Sequence, residues 1–382
     1  MKILFLDQSG KPGGAELCLI DIAKPYRDSC LVGLFADGPF RYLLEEQHIP
    51  VQVLAIQQMQ VRKESGFIQG LGSLNQLVPL VAQVAQLSHE FDLIYANTQK
   101  ALVVGALASF FSRCPLVYHL HDILSVDHFS RTNRRLVVTL ANRFASLVIA
   151  NSQASQMAFV EAGGRPDIID LVYNGFEPKL YQKLEANPGR TKQQLGAEGK
   201  FLVGHFSRLS PWKGQHILIE ALAYCPEDVT VILVGDALFG EQDYVQRLHK
   251  QVTALGFQDR VHFLGFCSNV VQLMTACDLI AHTSTAPEPF GRVIVEAMLC
   301  GRPVVATQSG GAVELVEVGK TGWLVPPGDA RQVAEVITKC RNQPEHSAAI
   351  AHQAQLQASQ RFHISTINQQ IAQLLSKIAR HN

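Results

Sequence analysis

The chain of 382 residues alternates, almost from end to end, between short apolar runs rich in β-branched residues and longer amphipathic stretches. A short run of this kind is typical of a strand buried in a parallel sheet, and an amphipathic stretch is typical of the helix that leads to the next strand. The pattern therefore predicts an α/β fold of doubly wound parallel sheets with helices on both faces.

The alternation lapses once, in a polar stretch after Asn174-Gly175 that extends to about position 200. No strand is readable there, and we interpret the stretch as a linker. We expect one domain over 1–176 and a second over 177–361, a division that also suits the chain length. The predicted strands lie at 2–7, 31–35, 51–55, 92–96, 115–119, 146–150 and 169–173, then at 201–206, 229–234, 261–264, 278–281, 303–306 and 322–325.

Ligands of open α/β sheets bind beyond the carboxyl ends of the strands. Two such domains that face each other would therefore place a cleft between two sets of strand-end loops. The last segment, 362–382, predicts an amphipathic helix, because its isoleucines and leucines stand at helical spacing. This stripe consists of Ile364, Ile367, Ile371, Leu374, Leu375 and Ile378.

The charge balance excludes a global basic surface. Lys and Arg together number 33, as do Asp and Glu, so no overall field favours nucleic acid or an anionic membrane, and we expect no nucleic-acid partner. The eight cysteines lack CxxC spacing and lie mostly in apolar runs, which suits buried thiols in a reducing compartment. Neither a signal peptide nor a long apolar run is visible, so we expect a cytoplasmic protein.

A glycine-rich loop follows the first predicted strand and contains Gly10, Gly13 and Gly14. Glycines at a strand-to-helix turn let backbone N–H groups approach an anion closely. The spacing is not GxGxxG, and no acidic residue closes the second strand as a dinucleotide site requires, which disfavours a hydride-transfer enzyme. A tight turn that simply starts a helix is the alternative.

Polar residues also follow the predicted strand 115–119, where His119 and His121 precede Asp122. Strand alternation places the two histidines on the same side of the sheet. A metal pair is the weaker interpretation, because no carboxylate or cysteine cluster stands at ligand spacing, and we expect no metal. Both histidines stay candidates for the site histidine, with a structural role as the alternative.

Two cations, Arg208 and Lys213, lie in the predicted loop between strand 201–206 and the next helix. From one strand-to-helix loop they could reach a single anion from two sides, and a diphosphate suits that arrangement. A solvated basic pair is the alternative.

The segment 285–298 passes from a proline-rich loop into a helix that we expect to begin near Phe290 or Gly291. The first-turn N–H groups of that helix form a second anion cradle. Glu288 lies in the loop and Glu296 two turns into the helix, a spacing poorly suited to a glycosidase carboxylate pair. Glu296 stands among apolar residues, so its carboxylate needs a partner.

Taken together, these segments resemble the retaining GT-B glycosyltransferases, the large family that includes bacterial glycogen synthases, sucrose-phosphate synthases and mannosyltransferases of lipids and capsules. The resemblance runs along nearly the whole chain, and the ordered set of motifs is far more specific than any single one. The motifs are the 13–16 loop, His121-Asp122, Asn151-Ser152, Asn174-Gly175, 204–214, 234–236, Glu288-x7-Glu296, 301–306, 310–314 and 322–329.

The resemblance implies a GT-B fold and retaining transfer of a sugar from a nucleotide-diphosphate-sugar donor to a hydroxyl acceptor, without an obligatory metal or other cofactor. By position, Arg208 and Lys213 would neutralise the leaving diphosphate, and Glu296 would bind the ribose. Glu288 would contact the donor sugar, and His121 would line the reacting centre. The other implied donor contacts are Gly13 and Gly14, Leu264 beside the base, and the backbone of Phe290, Gly291 and Arg292. The C-terminal helix would cross back to the first domain.

Polysaccharide or glycolipid biosynthesis is the expected setting. The alternatives are a nucleotide-sugar epimerase of the same architecture, a non-catalytic relative and an exported sugar-binding protein, the last of which would need a signal sequence. The basic cluster at 128–135 could meet an anionic or lipid-linked acceptor at the inner face of a membrane, while a solvated helix start is the alternative there.

Overall fold

The computed structural model describes residues 1–54, 74–126, 129–182, 188–237 and 240–380. The chain forms two compact units, one of Met1–Phe176 with Ile364–Asn382 and one of Glu177–His363. Each unit is built on a parallel sheet, as the alternation predicts.

In the described part of the first unit, seven parallel strands form a sheet in the order β3-β2-β1-β4-β5-β6-β7. The strands are β1 Ile3–Asp7, β2 Cys30–Leu34, β3 Val51–Val53, β4 Leu93–Ala96, β5 Leu116–Leu120, β6 Ala145–Ala150 and β7 Ile169–Leu171. The helices are α1 Gly14–Ala23, α2 Pro39–Glu46, α3 Leu74–Ser88, α4 Gln99–Ser112, α5 Arg131–Phe144 and α6 Gln153–Glu161.

The central strand β1 shows why these runs are apolar throughout. Leu4 and Leu6 join one buried cluster, and Ile3 and Phe5 join another. Successive side chains of a strand point to opposite faces, and a sheet covered on both faces buries both sets. All five residues of β1 are accordingly buried, including Asp7 at its carboxyl end.

The described part of the second unit contains a six-stranded parallel sheet in the order β10-β9-β8-β11-β12-β13. Its helices up to the last strand are α7 Pro178–Gln182, α8 Pro188–Gln194, α9 Gln215–Ala221, α10 Gln242–Leu255, α11 Val270–Ala276, α12 Arg292–Leu299 and α13 Ala312–Leu315. The strands are β8 Phe201–Phe206, β9 Val229–Val234, β10 Val261–Gly265, β11 Leu279–His282, β12 Val304–Thr307 and β13 Trp323–Val325. The chain ends in α14 Ala330–Asn342, α15 Pro344–Arg361 and α16 Ile364–Arg380.

The polar stretch after Gly175 differs from the linker that we expected. Its described residues include α7 and α8, and α8 packs against α11 within the second unit. Lys192 of α8 donates from Nζ to Asp278 Oδ2 at 2.6 Å, and Gln272 donates to Thr191 Oγ1. Short polar helices have too few apolar residues to produce a readable helical period. The hydrophobic pattern therefore did not predict α7 and α8.

The C-terminal helix α16 follows the second unit in sequence but packs in the first. Ile367, Ile371 and Leu375 belong to the same buried cluster as Ile3 and Phe5. The side chain of Asn368 donates to the backbone oxygen of Asp21 at 3.0 Å. The apolar stripe of α16 is therefore buried against one face of the first sheet.

Removing a side chain from this stripe should destabilise the first unit. Leu375 is fully buried, and we expect Leu375→Ala to lower the free energy of unfolding by about 2–5 kcal/mol through lost burial and a cavity. Gln373→Ala, on the exposed side of the same helix, is the control. Chemical denaturation measures both, and equal values would contradict the docking of α16.

Helix α1 begins in an unusual electrostatic setting. Its N-cap is the exposed Gly13, and the Glu16 carboxyl in the first turn accepts hydrogen bonds from the backbone of Gly13 and of Glu16 itself, half of a capping box. Burial raises the pKa of Glu16 to about 8, and the nearby carboxyl of Asp7 adds to that rise. Burial likewise raises the pKa of Asp7 to about 6.

A raised carboxyl pKa means that the folded state holds its proton more tightly than the unfolded state. The contribution of Glu16 to stability should therefore fall as pH rises from about 4.5, the ordinary value of its pKa, to about 8. Glu16→Gln keeps the capping hydrogen bonds but cannot ionise. We expect a higher Tm than wild type at pH 8 and little difference at pH 4.5.

The matched control is Glu161→Gln at the exposed end of α6, which should leave the pH dependence of Tm unchanged. Thermal unfolding between pH 4.5 and 8.5 provides the readout. A Glu16→Gln variant with the same pH dependence as wild type would show that Glu16 is not held in a desolvated, raised-pKa state.

Candidate active site

In the second unit, the loops that follow two neighbouring strands lie side by side. β8 and β11 are adjacent in the sheet although two strands separate them in sequence, which makes their carboxyl ends a topological switch point. Thr283 Oγ1 donates to Gly214 O at 2.8 Å, and Thr285 N donates to Trp212 O at 2.8 Å. The loop of Arg208 and Lys213 is therefore joined to the loop of Glu288.

Gly214 is required at this junction for two reasons. Its φ of +72° lies in the left-handed region, and an added Cβ would stand 1.8 Å from the Thr283 carbonyl oxygen. Any side chain at position 214 would push the two loops apart.

Three donors converge on one carboxylate oxygen, Oε2 of Glu288. Lys213 Nζ lies 2.6 Å from it, Ser284 Oγ 3.1 Å and His282 Nε2 3.2 Å. Burial acts to raise the pKa of Glu288, but the Lys213 ammonium and the hydrogen bonds from His282 and Lys213 outweigh it and hold the pKa well below its usual range. Glu288 is therefore an ionised, buried group that fixes the position of Lys213.

The Glu288 loop is clamped from its other side by a glycine pair. Gly311 N donates to Glu288 O at 2.7 Å, and Gly310 pairs with Glu288 in an isolated parallel bridge. A Cβ on Gly310 would stand 2.3 Å from that carbonyl oxygen. The 310–314 motif thus belongs structurally to the same site.

Arg208 is held by a second acidic residue. Its Nε lies 3.6 Å from Glu241 Oε2, and Glu241 also accepts from Ser210 Oγ at 2.7 Å. Gln215 donates to the backbone oxygen of Arg208 at 2.9 Å, which fixes the loop backbone. Each cation of this loop therefore has a carboxylate partner of its own.

Helix α12 begins at Arg292, with Gly291 at the N-cap in a left-handed conformation of φ +96°. Phe290 is buried and packs edge-on against Phe362 at 5.8 Å between ring centroids, so it anchors the start of the helix. Glu296 is half-buried, and its carboxylate lies 3.5 Å from Arg292 Nε one turn earlier. Arg292 is thus the partner that the apolar surroundings of Glu296 require.

Leu264 lies near the carboxyl end of β10 and is half-buried. Gly265 accepts a hydrogen bond from Gly235 N at 2.8 Å, which ties this strand end to that of β9. Phe266 follows with 75% of its surface exposed. A large apolar ring left in solvent beside a strand-end loop is suited to stacking against a planar ligand.

In the first unit, Gly13 and Gly14 are exposed at the start of α1, and His119 and His121 lie on one side of the sheet. The two imidazole rings stack with centroids 3.9 Å apart. His119 is buried, and burial together with His121 keeps its pKa well below the usual range. The half-buried His121 lies at 2.9 Å, through Nε2, from Oδ1 of Asn97.

A group of potential metal ligands occurs at this point. Among the described residues, Cys18, His119 and His121 bring one ligand atom each within 4.8 Å of the others. Cys18 Sγ lies 3.3 Å from Asn174 Oδ1, and His119 Nδ1 lies 2.7 Å from the hydroxyl of Tyr95. These hydrogen bonds occupy Cys18 Sγ and one of the two ring nitrogens of His119, and the expectation of a metal-free site stays a prediction.

Sequence reasoning missed four polar residues of these sites: Asn97, Glu241, His282 and Ser284. Asn97 directly follows the predicted strand 92–96, and His282 directly follows 278–281, so the strand-end rule that selected His121 also applies to them. Glu241 carried no comparable signal, because it follows a stretch that matches no strand end.

The basic cluster at 128–135 falls partly outside the described residues, which omit 127 and 128. From Ser130 onward it is the start of α5, where Ser130 Oγ caps Asn133 N at 3.2 Å and Arg131 and Arg135 are exposed. No helix in the described ranges is long and apolar enough to cross a membrane. Contact with a membrane surface stays a prediction.

Comparisons with known proteins extend along the chain. The family model of glycosyl transferases group 1 matches residues 189–357, and that of glycosyltransferase family 4 matches residues 12–180. A crystal structure of Anabaena Alr3699/HepE in complex with UDP-glucose superposes with a TM-score of 0.92 and is 65% identical, covering 99% of this chain and 100% of that one.

Two curated relatives match more distantly. Spore coat protein SA of Bacillus subtilis is 31% identical over 50% of this chain and 54% of its own length. The D-inositol 3-phosphate glycosyltransferase of Mycobacterium marinum is 29% identical over 66% of this chain and 57% of its own length. The chain thus spans a little over half the length of these relatives.

The matches confirm the family resemblance and the α/β GT-B fold class that the motifs predict. Both family models, taken together, extend from the glycine-rich loop of the first unit to α15 of the second. The chain therefore belongs to the group 1 glycosyl transferases and has the GT-B fold.

Proposed function

We propose that the protein transfers a glucosyl group from UDP-glucose to a hydroxyl acceptor, with retention of anomeric configuration and without a metal or other cofactor. The observation that carries this proposal is the switch point of the second sheet. There, two cations held by carboxylates lie in one loop that is hydrogen-bonded to the loop leading into α12. The crystal structure of the 65% identical relative contains UDP-glucose, which supports this choice of donor.

The bond that breaks joins the anomeric carbon of the sugar to the diphosphate, so negative charge develops on the leaving UDP. Lys213 supplies a positive charge there, and Glu288 holds its ammonium in place before the donor arrives. Arg208 supplies a second cation that can bind in a bidentate manner, and the first-turn N–H groups of α12, which follows the Glu288 loop, offer further donors to an anion. Preorganised groups of this kind stabilise the leaving group without reorganisation during the reaction.

The remaining donor contacts follow from chemistry at the same strand ends. Glu296 offers a carboxylate acceptor for the ribose hydroxyls, steadied by Arg292. The exposed ring of Phe266, beside Leu264, suits the uracil base. In the first unit, Gly13 and Gly14 offer exposed backbone to the donor, and His121 lines the reacting centre.

The acceptor is proposed only by class, as a sugar or other hydroxyl group in polysaccharide or glycolipid biosynthesis. Acceptor loops vary on a shared fold, so the architecture supports no narrower choice. An anionic or lipid-linked acceptor suits the exposed basic residues at the start of α5.

Removing either cation should slow turnover while the protein stays folded. We expect Arg208→Ala and Lys213→Ala each to lower kcat/KM for UDP-glucose at least about tenfold, because each variant loses charge stabilisation of the leaving diphosphate. UDP release, measured with and without a panel of hydroxyl acceptors, is the readout.

Lys320→Ala is the matched control, since Lys320 is an exposed lysine of the same unit that pairs with Glu317 on the surface. It should retain wild-type turnover. Full activity in both the Arg208 and the Lys213 variants would show that this loop does not bind the donor diphosphate. Interconversion of the donor sugar without UDP release would point instead to an epimerase.

A further inference from the structure

The first sheet has a switch point of its own, between β1 and β4. Asp7 ends β1 and Asn97 follows β4, and both side chains are fully buried. His121 follows β5, the next strand along. These three residues form a hydrogen-bonded chain that runs from the carboxyl end of β1 to that of β5.

The hydrogen bonds of Asn97 determine which way its amide points. Its Nδ2 donates to Asp7 Oδ2 at 2.7 Å and to the backbone oxygen of Ala15 at 3.1 Å. A carbonyl oxygen only accepts, and an ionised carboxylate only accepts, so both atoms require the NH2 group. The two hydrogens of the amide are thus used, and Oδ1 must face His121.

The orientation of Asn97 in turn determines where His121 carries its proton. Oδ1 of Asn97 lies 2.9 Å from His121 Nε2 and has no hydrogen to give. The proton of this hydrogen bond therefore belongs to Nε2, and in the neutral ring Nδ1 is the unprotonated nitrogen. Any hydrogen bond that neutral His121 makes through Nδ1 is one that it accepts.

Two neighbours keep this arrangement from changing. Asp7 is held in place by Ser9 N, which donates to its Oδ1 at 2.8 Å, so Oδ2 stays directed at Asn97. Although burial raises the pKa of Asp7 to about 6, the carboxyl is ionised near pH 8 and remains an acceptor. The stacked ring of His119, itself bonded to Tyr95, limits rotation of the His121 ring.

We infer that Asn97 is a positioning residue for the reaction, which fixes the ring orientation and the Nε2–H tautomer of His121. His121 then acts toward a ligand hydroxyl as an acceptor through Nδ1 and not as a donor. The catalytic part of this inference rests on the proposed function, in which His121 lines the reacting centre. The tautomer itself does not depend on it.

Nuclear magnetic resonance of histidine-labelled protein at pH 8 tests the tautomer directly. We expect a protonated Nε2, an unprotonated Nδ1 and an observable Hε2 proton for His121, assigned by its disappearance in His121→Gln. In Asn97→Ala the Hε2 proton should be lost to solvent exchange. In Asn97→Asp it should persist, because the carboxyl oxygen facing His121 still accepts from Nε2 while the other oxygen, kept protonated beside Asp7, donates to it.

The control is Asn142→Ala, which removes another amide of the first unit that joins Gly163 and Arg165 instead. It should leave the His121 signals unchanged. A wild-type His121 protonated at Nδ1, or an Hε2 signal unchanged in Asn97→Ala, would overturn the inference. If Asn97→Ala does not fold, the wild-type spectrum and the Hε2 signal in Asn97→Asp test the tautomer instead. Loss of Hε2 in Asn97→Asp would then count against the inference, and its persistence would support it.

The kinetic arm separates this inference from the proposed function. Asn97→Ala should lower kcat at least about tenfold with UDP affinity unchanged, since a misplaced catalytic-site ring affects turnover and not nucleotide binding. An altered tautomer with full kcat would overturn the positioning role. If wild-type protein releases no UDP from UDP-glucose, the proposed function fails, while the spectra still decide the tautomer.

Discussion

A buried carboxylate that accepts from three donors is the interaction on which the second unit's site depends. Burying an ionised group is costly unless its hydrogen bonds are fully provided, and Glu288 receives them from a lysine, a histidine and a serine on one oxygen. The lysine contact requires the loops after β8 and β11 to lie together, whereas the histidine and the serine belong to β11 and to its own loop. The left-handed glycine at 214 makes that closeness possible, and the Gly310-Gly311 pair lets the loop after β12 pack against the backbone of the Glu288 loop. The position of Lys213 is therefore a consequence of backbone geometry as much as of charge.

Both units place their polar groups by the same rule. In each parallel sheet the first strand has the next strand in sequence on one side and a strand three positions later on the other. The loops at its carboxyl end therefore meet those of a strand distant in sequence. The chemistry differs, however. The second unit presents cations paired with carboxylates, whereas the first presents an amide, imidazoles and carboxyls whose burial raises their pKa values. The polar groups of the second unit are thus suited to stabilising the charge of a ligand, and those of the first unit to directing hydrogen bonds.

Much of the fold could be predicted from the sequence, because strands buried on both faces produce apolar runs whose bounds differ from the observed ones by only a few residues. The predicted start of α12, near Phe290 or Gly291, also lies within two residues of the observed start at Arg292. Pairing between strands leaves no such local signal. Asn97 stands at a strand end like His121, but its partner Asp7 comes from a strand that is remote in sequence, as Lys213 is remote from Glu288. The polar helices α7 and α8 could not be predicted for a different reason, because they have too few apolar residues to show a helical period.

We propose that the protein transfers glucose from UDP-glucose with retention, and the anomer of the first-formed product distinguishes retention from inversion. UDP-glucose labelled with 13C at the anomeric carbon can be followed by NMR in the presence of an acceptor panel, and with water alone as the acceptor. We expect UDP to be released and the first-formed sugar to have the α configuration of the donor, before mutarotation. A first-formed β anomer, or no release of UDP above the uncatalysed rate, would contradict it.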